Sequence, residues 1–133
     1  MDDKKIDKGI LYDAVVCREK DNALKVSRIM RDTRARHLIV VDKNLKPLGI
    51  ISPFDINNRV VAEEKNPSEV MADEIMTKPV ETIELNSTYS EAAEKMALLE
   101  TFTMPVVQNG KLVGVLDYSS VFRNVCEVKH DKK

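Results

Sequence analysis

The 133-residue sequence lacks tryptophan and has only four glycines and two cysteines. With so few glycines, it contains no glycine-rich loop of the kind that cradles phosphates. Cys17 and Cys126 lie far apart without CxxC spacing, so neither a zinc site nor a disulfide framework is predicted. No Ser/His/Asp or Cys/His catalytic set is present either. We therefore expect a protein that is not an enzyme and holds no metal.

Neither sign of charge is in excess, since 21 lysines and arginines face 22 aspartates and glutamates. This balance gives no net field that would draw the protein onto nucleic acid or anionic lipid. The local cluster Arg28–Arg36 lacks aromatic residues on which bases could stack, so nucleic acid is not the expected partner. No apolar run approaches the roughly 20 residues that cross a bilayer, and the N-terminus lacks the apolar core of a signal peptide. We expect a cytoplasmic location.

The composition, 43% hydrophobic and 32% charged, is typical of a globular protein with a packed core. The charged ends, residues 1–9 and 129–133, are expected to be solvated tails. The length suits one domain or two very small ones that share a core.

An internal repeat decides how the chain is organised. Moving the second half back by 66 residues places Met96 on Met30, and after a loop that is one residue shorter Gly114 falls on Gly49. The repeats are assigned to residues 10–66 and 67–128.

Both repeats show the same order of local signals: strand, helix, strand, strand, helix. The elements predicted in the first repeat are Ala14–Cys17, Asn22–Arg34, Leu38–Val41, Leu48–Ile51 and a helix from Ser52. Those predicted in the second repeat are Val80–Thr82, Ser87–Leu99, Met104–Val107, Leu112–Leu116 and a helix from Asp117. The predicted class is α+β, with two βαββα repeats. Because one repeat is too small to cover its own sheet, we expect the two to pack sheet to sheet with pseudo-twofold symmetry and to leave clefts where they meet.

Three motifs carry a resemblance to a known family. They are DEIMTKPVETI (Asp73–Ile83), MPVVQNGKLVGVL (Met104–Leu116) and HLIVVDKNLKPLGIISPFDI (His37–Ile56). Over Leu11–Val125 the chain resembles the cystathionine β-synthase (CBS) domain pair, or Bateman module.

The resemblance implies a free-standing regulatory module that binds AMP, ADP, ATP, S-adenosylmethionine or a related adenosyl ligand between the repeats. It also implies a homodimer and a regulated partner protein, whose identity is unknown. An alternative left open is a module used only for oligomerisation or partner docking, with no bound nucleotide.

The family pattern Gly-x-x-Ser/Thr-x-x-Asp is matched by Gly49, Ser52 and Asp55. The resemblance implies that Asp55 takes ribose hydroxyls and that Ser52 lies near a phosphate. The alternative is structural, since a serine with an aspartate three residues later is a favourable helix start. Gly49 permits either close ligand approach or close backbone packing.

Arg36 and His37 match family positions where basic side chains meet phosphates, and an arginine can donate two hydrogen bonds to a phosphate. The alternative is exposed charge at a turn. The stretch Leu24–His37 holds five lysines and arginines against one acid, whereas Ser90–Thr103 holds three acids against one lysine. Phosphate is therefore expected at the first repeat.

For the adenine ring, the resemblance implies backbone hydrogen bonds and an apolar slot from Val15, Val16 and Cys17, with Ile39 and Ile50 as walls. An ordinary β-core would use the same residue types.

The second repeat departs from the pattern. Thr82 and Pro105 still match the family, but Asp117 stands where the hydroxyl residue belongs and Ser120 where the aspartate belongs. Phe102–Thr103 replaces the basic pair. An acid at a phosphate position repels the ligand, so we predict a second site that is weak, empty or occupied by an uncharged adenosyl group.

Overall fold

The computed structural model describes residues 4–131, with side chains described up to residue 125. The chain divides into two compact units, a first unit of Ala14–Val80 and a second unit that joins Met1–Asp13 to Glu81–Lys133. Each unit holds one three-stranded sheet and helices. The predicted α+β class is confirmed.

The first unit is built on the strands β1 (Val16–Arg18), β2 (Leu38–Val41) and β3 (Pro47–Ile51). β2 lies in the centre, parallel to β1 and antiparallel to β3, and all four of its residues are buried. The helices are α1 (Ala23–Thr33), α2 (Pro53–Ile56), which continues through one wide turn (Asn57–Val61), and α3 (Ala72–Ile75). Asn22 begins α1, because its side-chain oxygen accepts a 2.8 Å hydrogen bond from the Lys25 N–H.

The second unit repeats this sheet with β4 (Ile83–Glu84), β5 (Thr103–Gln108) and β6 (Lys111–Asp117), in the same order and with the same directions. Its long helices are α4 (Tyr89–Leu99) and α5 (Tyr118–Asp131). The strand predicted at Val80–Thr82 is wrong, because the residue that pairs with β5 is Ile83, opposite Val106.

Residues 5–12 pack on the second unit. Ile6 is fully buried in that unit's core, and its N–H donates to the Ser87 carbonyl at 2.8 Å. Tyr12 and Val115 exchange two N–H···O bonds of 2.9 Å. The prediction of a solvated tail over residues 1–9 is therefore wrong at Ile6, where burying an apolar side chain and pairing its backbone outweigh the charged neighbours. At the other end α5 runs to Asp131, and residues 132–133 lie outside the described part.

Residues 70–77 pack in the first unit as residues 5–12 pack in the second. There Thr77 and Ile50 exchange N–H···O bonds of 2.8 and 3.0 Å. We call residues 5–12 and 70–77 the lead-in segments, because each precedes the first strand of a repeat. Each packs with the other repeat. The units therefore differ from the predicted repeats 10–66 and 67–128 through long-range pairing that a local sequence pattern does not report.

Candidate functional site

The predicted polar residues of the first repeat come to one end of its sheet. Leu38, at the start of β2, pairs with Ile51, at the end of β3. Arg36–His37 directly precedes β2 and Ser52 directly follows β3, so antiparallel pairing brings them to the same end. Asp55 follows in the first turn of α2, and its charge acts on His37.

Asp55 is only 8% exposed and its carboxylate is well supplied with donors. Oδ2 accepts from the Ser52 N–H at 2.8 Å and from the Ser52 hydroxyl at 3.3 Å, while Oδ1 accepts from the Thr77 hydroxyl at 3.0 Å. This is the helix-capping arrangement that the sequence left as an alternative. A ligand hydroxyl has to share or replace one of these donors.

Two residues that sequence reasoning missed complete this network. Thr77 comes from the lead-in segment, and the Arg59 Nη1 donates to the carbonyls of Ile75 at 2.9 Å and Met76 at 2.8 Å. The same nitrogen lies 3.9 Å from Asp55 Oδ1. Thr77 and Arg59 therefore tie the lead-in segment to the carboxylate. Thr77 belongs to the recognised motif, which was one available signal, and the four-residue spacing of Asp55 and Arg59 was another.

His37 has a pKa below its ordinary value. Partial burial is the main cause, the positive charge of Arg36 acts in the same direction, and Asp55 opposes both. The ring is therefore mostly neutral at pH 7. Arg36 is exposed, and its side chain makes no hydrogen bond or ion pair with any described residue.

The predicted apolar residues divide between the two faces of the sheet. Val16 pairs with Ile39 and Ile39 with Ile50, which gives one row across three strands. Because side chains alternate along a strand, those of Val15 and Cys17 point to the other face, where they belong to the core with α1. Cys17 is 3% exposed, and burial raises the pKa of its thiol to about 11. The Cys17 side chain thus lies on the face opposite to Ile39 and Ile50, and a role of Cys17 toward the ligand stays a prediction.

Gly49 is explained by packing. A Cβ built there would lie 2.5 Å from the Met76 sulfur of the lead-in segment, so that segment fills the space. Gly114 repeats the arrangement, because its Cβ would lie 2.9 Å from the Leu11 Cβ. Close packing, one of the two roles predicted for Gly49, therefore explains why this position has a glycine.

At the matching end of the second sheet the chemistry differs. Asp117 ends β6, and its Oδ1 accepts from the Ser120 N–H at 2.9 Å, which caps α5. Ser120 and Pro105 are buried, and the Thr82 carbonyl accepts from the Lys95 ammonium. The four predicted second-site residues thus serve capping, core and backbone contacts.

Aromatic residues occupy the place of the basic pair in the second unit. Phe102 is 75% exposed and meets Tyr118 edge-on at 6.1 Å, and Tyr118 stacks on Phe122 at 5.9 Å. This end therefore offers aromatic rings where the first unit offers an arginine and a histidine.

Among the side chains that the structure describes, those of residues 4–125, no three from His, Cys, Asp or Glu are grouped as metal ligands. Within the same range no helix has the length and apolar character needed to span a membrane.

Sequence comparison finds two matches to the CBS domain family, over residues 9–62 and 72–127. An uncharacterized protein of Methanopyrus kandleri is 30% identical over 112 residues, which cover 84% of this chain and 57% of the relative. The chain spans 34% and 20% of the length of two further relatives, from Methanocaldococcus jannaschii and Arabidopsis thaliana.

Solved structures share the fold. Hypoxic Response Protein I, solved with two coordinated zinc ions, superposes with a TM-score of 0.77 at 19% identity, over 89% of this chain and 97% of that one. The cytosolic domain of the Mg²⁺ channel MgtE in complex with ATP gives 0.71 at 25% identity, over 83% of this chain and 44% of that one.

Proposed function

The chain belongs to the CBS domain family and carries a pair of CBS domains, and from this we propose that it senses an adenine nucleotide or a related adenosyl ligand. In this proposal the module regulates a partner protein and catalyses no reaction itself. The ATP complex of the MgtE domain supports the ligand class by analogy.

The observation that carries the proposal is the convergence at one end of the first sheet. An ionised carboxylate accepts several hydrogen bonds and suits the two vicinal hydroxyls of a ribose, which is the role proposed for Asp55. Arg36 supplies positive charge for phosphate on the adjacent strand end, and His37 gains charge there when a bound phosphate raises its pKa. The Ser52 hydroxyl lies between these groups in sequence order and can donate to a phosphate oxygen.

The adenine ring is assigned to the apolar row of Val16, Ile39 and Ile50. β1 is an edge strand, and the Val15 carbonyl accepts from the Ile39 N–H at 2.9 Å. Because backbone groups alternate along a strand, the Val16 N–H and C=O point away from β2. We propose that they pair with the donor and acceptor on the adenine edge.

Ligand binding is proposed to act on the lead-in segment. A ribose hydroxyl that binds Asp55 Oδ1 competes with the Thr77 hydroxyl, which now donates there at 3.0 Å. Loss of that bond loosens Thr77 and the chain that follows it. The signal to the partner then begins at this segment.

One nucleotide per chain is proposed, because Ser120 and Phe102 give the second unit neither the carboxylate nor the cation. The alternative, a docking module without nucleotide, predicts no binding at either place.

Isothermal titration of the full chain with AMP, ATP, S-adenosylmethionine and adenosine tests the proposal. We expect one site per chain, tighter binding of the phosphorylated ligands, and a thermal shift with each ligand that binds. Salt should weaken AMP and ATP more than adenosine. The absence of binding with all four ligands would favour the docking alternative.

Asp55→Asn tests the site itself. It should weaken AMP binding about tenfold or more, because a charged hydrogen-bond acceptor to ribose is lost. The matched control is Asp42→Asn, which changes a carboxylate that accepts from Asn44 and Lys46 in the hairpin at the far end of the same sheet. Equal AMP affinity in parent and Asp55→Asn would refute the site assignment even if nucleotide binds.

A further inference from the structure

The edge strands β1 and β4 turn equivalent backbone groups to the outside of their sheets. With the 66-residue offset of the repeat, Thr82 stands where Val16 stands. The Leu85 N–H donates to the Val107 carbonyl of β5 at 2.8 Å. Because backbone groups alternate along a strand, the Thr82 C=O, three residues earlier, points away from β5. An adenine ring that pairs with the Val16 backbone would therefore find the same kind of acceptor at Thr82.

The acceptor on β4 already has a donor from its own unit. The Lys95 ammonium, which comes from α4, donates a hydrogen bond to the Thr82 carbonyl. The same ammonium lies 3.9 Å from Glu81 Oε1, but the Glu81 side chain is 54% exposed, so solvent weakens that ion pair. The hydrogen bond to the carbonyl therefore fixes the ammonium more firmly than the ion pair does.

The first unit has an apolar residue at the matching helix position. Ile29 stands where Lys95 stands, and its side chain packs against the core of the first unit. A hydrocarbon side chain has no hydrogen to donate, so Ile29 leaves the Val16 carbonyl to a ligand. The two repeats thus differ in whether the helix supplies a donor to the outer edge of the sheet.

Neither lack of room nor loss of apolar surface distinguishes the edge of β4. A groove of about 560 Å³ lies beside this strand, and its lining includes Thr82, Lys95 and Leu98. That volume is in the range of small-molecule sites. Pro105 and Val115 pair between β5 and β6, so the second sheet keeps apolar residues next to the edge. The occupied acceptor is the difference that acts on the ring itself.

We infer that Lys95 is a specificity-determining residue, whose ammonium occupies the acceptor that the amino group of adenine would need. A ring that binds at β4 has to displace a charged donor, which costs about tenfold or more in affinity. Lys95 therefore closes this edge to adenosyl ligands whether or not they carry phosphate. Of the three states predicted for the second site, weak, empty or holding an uncharged adenosyl group, this selects the empty one. The inference rests on the proposed function, which assigns the adenine edge to Val16.

Titration of the full chain with adenosine, followed by NMR, tests the inference. Adenosine carries no phosphate, so it reports on the ring and ribose alone. The Thr82 amide reports binding at the edge of β4, and the Val16 amide reports binding at β1. In the parent only the Val16 amide should shift. Lys95→Met keeps an unbranched side chain without a donor, so the Thr82 amide should shift as well, with a Kd about tenfold or more lower than at the same edge of the parent.

Two controls separate the hydrogen bond from other roles of the lysine. Lys95→Arg keeps a charged donor, and Glu81→Gln removes the ion pair alone, so both should leave the Thr82 amide unshifted. Circular dichroism should show all variants folded. A Thr82 shift in the parent, no Thr82 shift in Lys95→Met, or an equal gain in either control would overturn the inference.

The proposed function is judged separately, at Val16. If the Val16 amide stays unshifted in every protein, the assignment of adenine to β1 fails. A gain at Thr82 in Lys95→Met would support the role of Lys95 even then. A shift at Val16 without a gain at Thr82 would leave the proposed function standing and overturn the inference.

Discussion

The two units share a backbone arrangement at the end of the sheet where the candidate site lies. In the first unit Thr77 pairs with Ile50, and in the second Tyr12 pairs with Val115 at the matching place. In both, a strand glycine leaves room for the lead-in segment. The scaffold is therefore repeated through long-range backbone contacts.

Side chains at that end are not repeated. Asp55 is matched by Ser120, and Arg36 by Phe102, so a carboxylate and a cation give way to a hydroxyl and a ring. The core positions of the two sheets stay apolar and buried, with Val40 matched by Val106 and Ile51 by Leu116. The comparison teaches that binding chemistry in this fold can change at the sheet end while the backbone stays the same.

The largest expected effect comes from breaking the scaffold at Ile6. Ile6→Ala should destabilise the protein by about 2–4 kcal/mol, because it leaves a cavity in the core of the second unit. Urea unfolding measures this, with Lys5→Ala as the control whose exposed side chain should cost less than about 0.5 kcal/mol. Equal midpoints for the two variants would mean that the lead-in segment is not docked in solution.

A smaller loss of stability is expected when either strand glycine, Gly49 or Gly114, is replaced by alanine. Gly114→Ala should cost about 2 kcal/mol, because the new Cβ would lie 3.0 Å from the Tyr12 backbone oxygen, which cannot easily move. Gly49→Ala should cost about 1 kcal/mol, since its nearest neighbour is the flexible end of Met76. Differential scanning calorimetry of both variants checks the order. The reverse order would show that the Met76 side chain cannot move aside as this argument requires.

The smallest expected effect concerns His37, which belongs to the polar end of the first sheet and has no counterpart in the second. Its pKa in the folded protein is lowered, so protonation favours unfolding and its contribution to stability is lost as pH falls below about 6.5. A bound phosphate should raise that pKa, so AMP binding should take up a proton. Because the phosphate of AMP also titrates near pH 6, the measurement compares the parent with His37→Gln by titration in buffers of different ionisation enthalpy. We expect proton uptake to be smaller in the variant, and identical uptake would remove His37 from the phosphate site.

Local patterns predicted much of the fold. β2 has the predicted bounds Leu38–Val41, and α1 lies within the predicted Asn22–Arg34, because apolar periodicity and an N-cap are local signals. β4 was misplaced because a two-residue strand is held by its pairing with β5 and not by its own propensity. The packing of the lead-in segments was not predicted for the same reason, because it too depends on long-range pairing.

The residues of the candidate site that belong to a sequence motif could be predicted, and the others could not. The spacing of Ser52 and Asp55 marked the end of the sheet. The Thr77 hydroxyl that donates to Asp55, and the two carbonyls to which Arg59 donates, are distant in sequence and carry no such local mark. Side chains alternate between the two faces of a strand, so Cys17 and Val16 must point to opposite faces of β1. The sequence did not show which of the two faces the core. Side-chain direction, more than residue choice, was the missing information.

The exchange of lead-in segments makes the repeats unequal for protein dissection. Ala14–Val80 is one continuous stretch that contains its own lead-in segment and core. The second unit is interrupted, so its excision would need a new covalent link from Asp13 to Glu81. A cut at the junction of residues 66 and 67 would instead leave each fragment holding the piece that the other requires, and the two fragments would fold only by complementation.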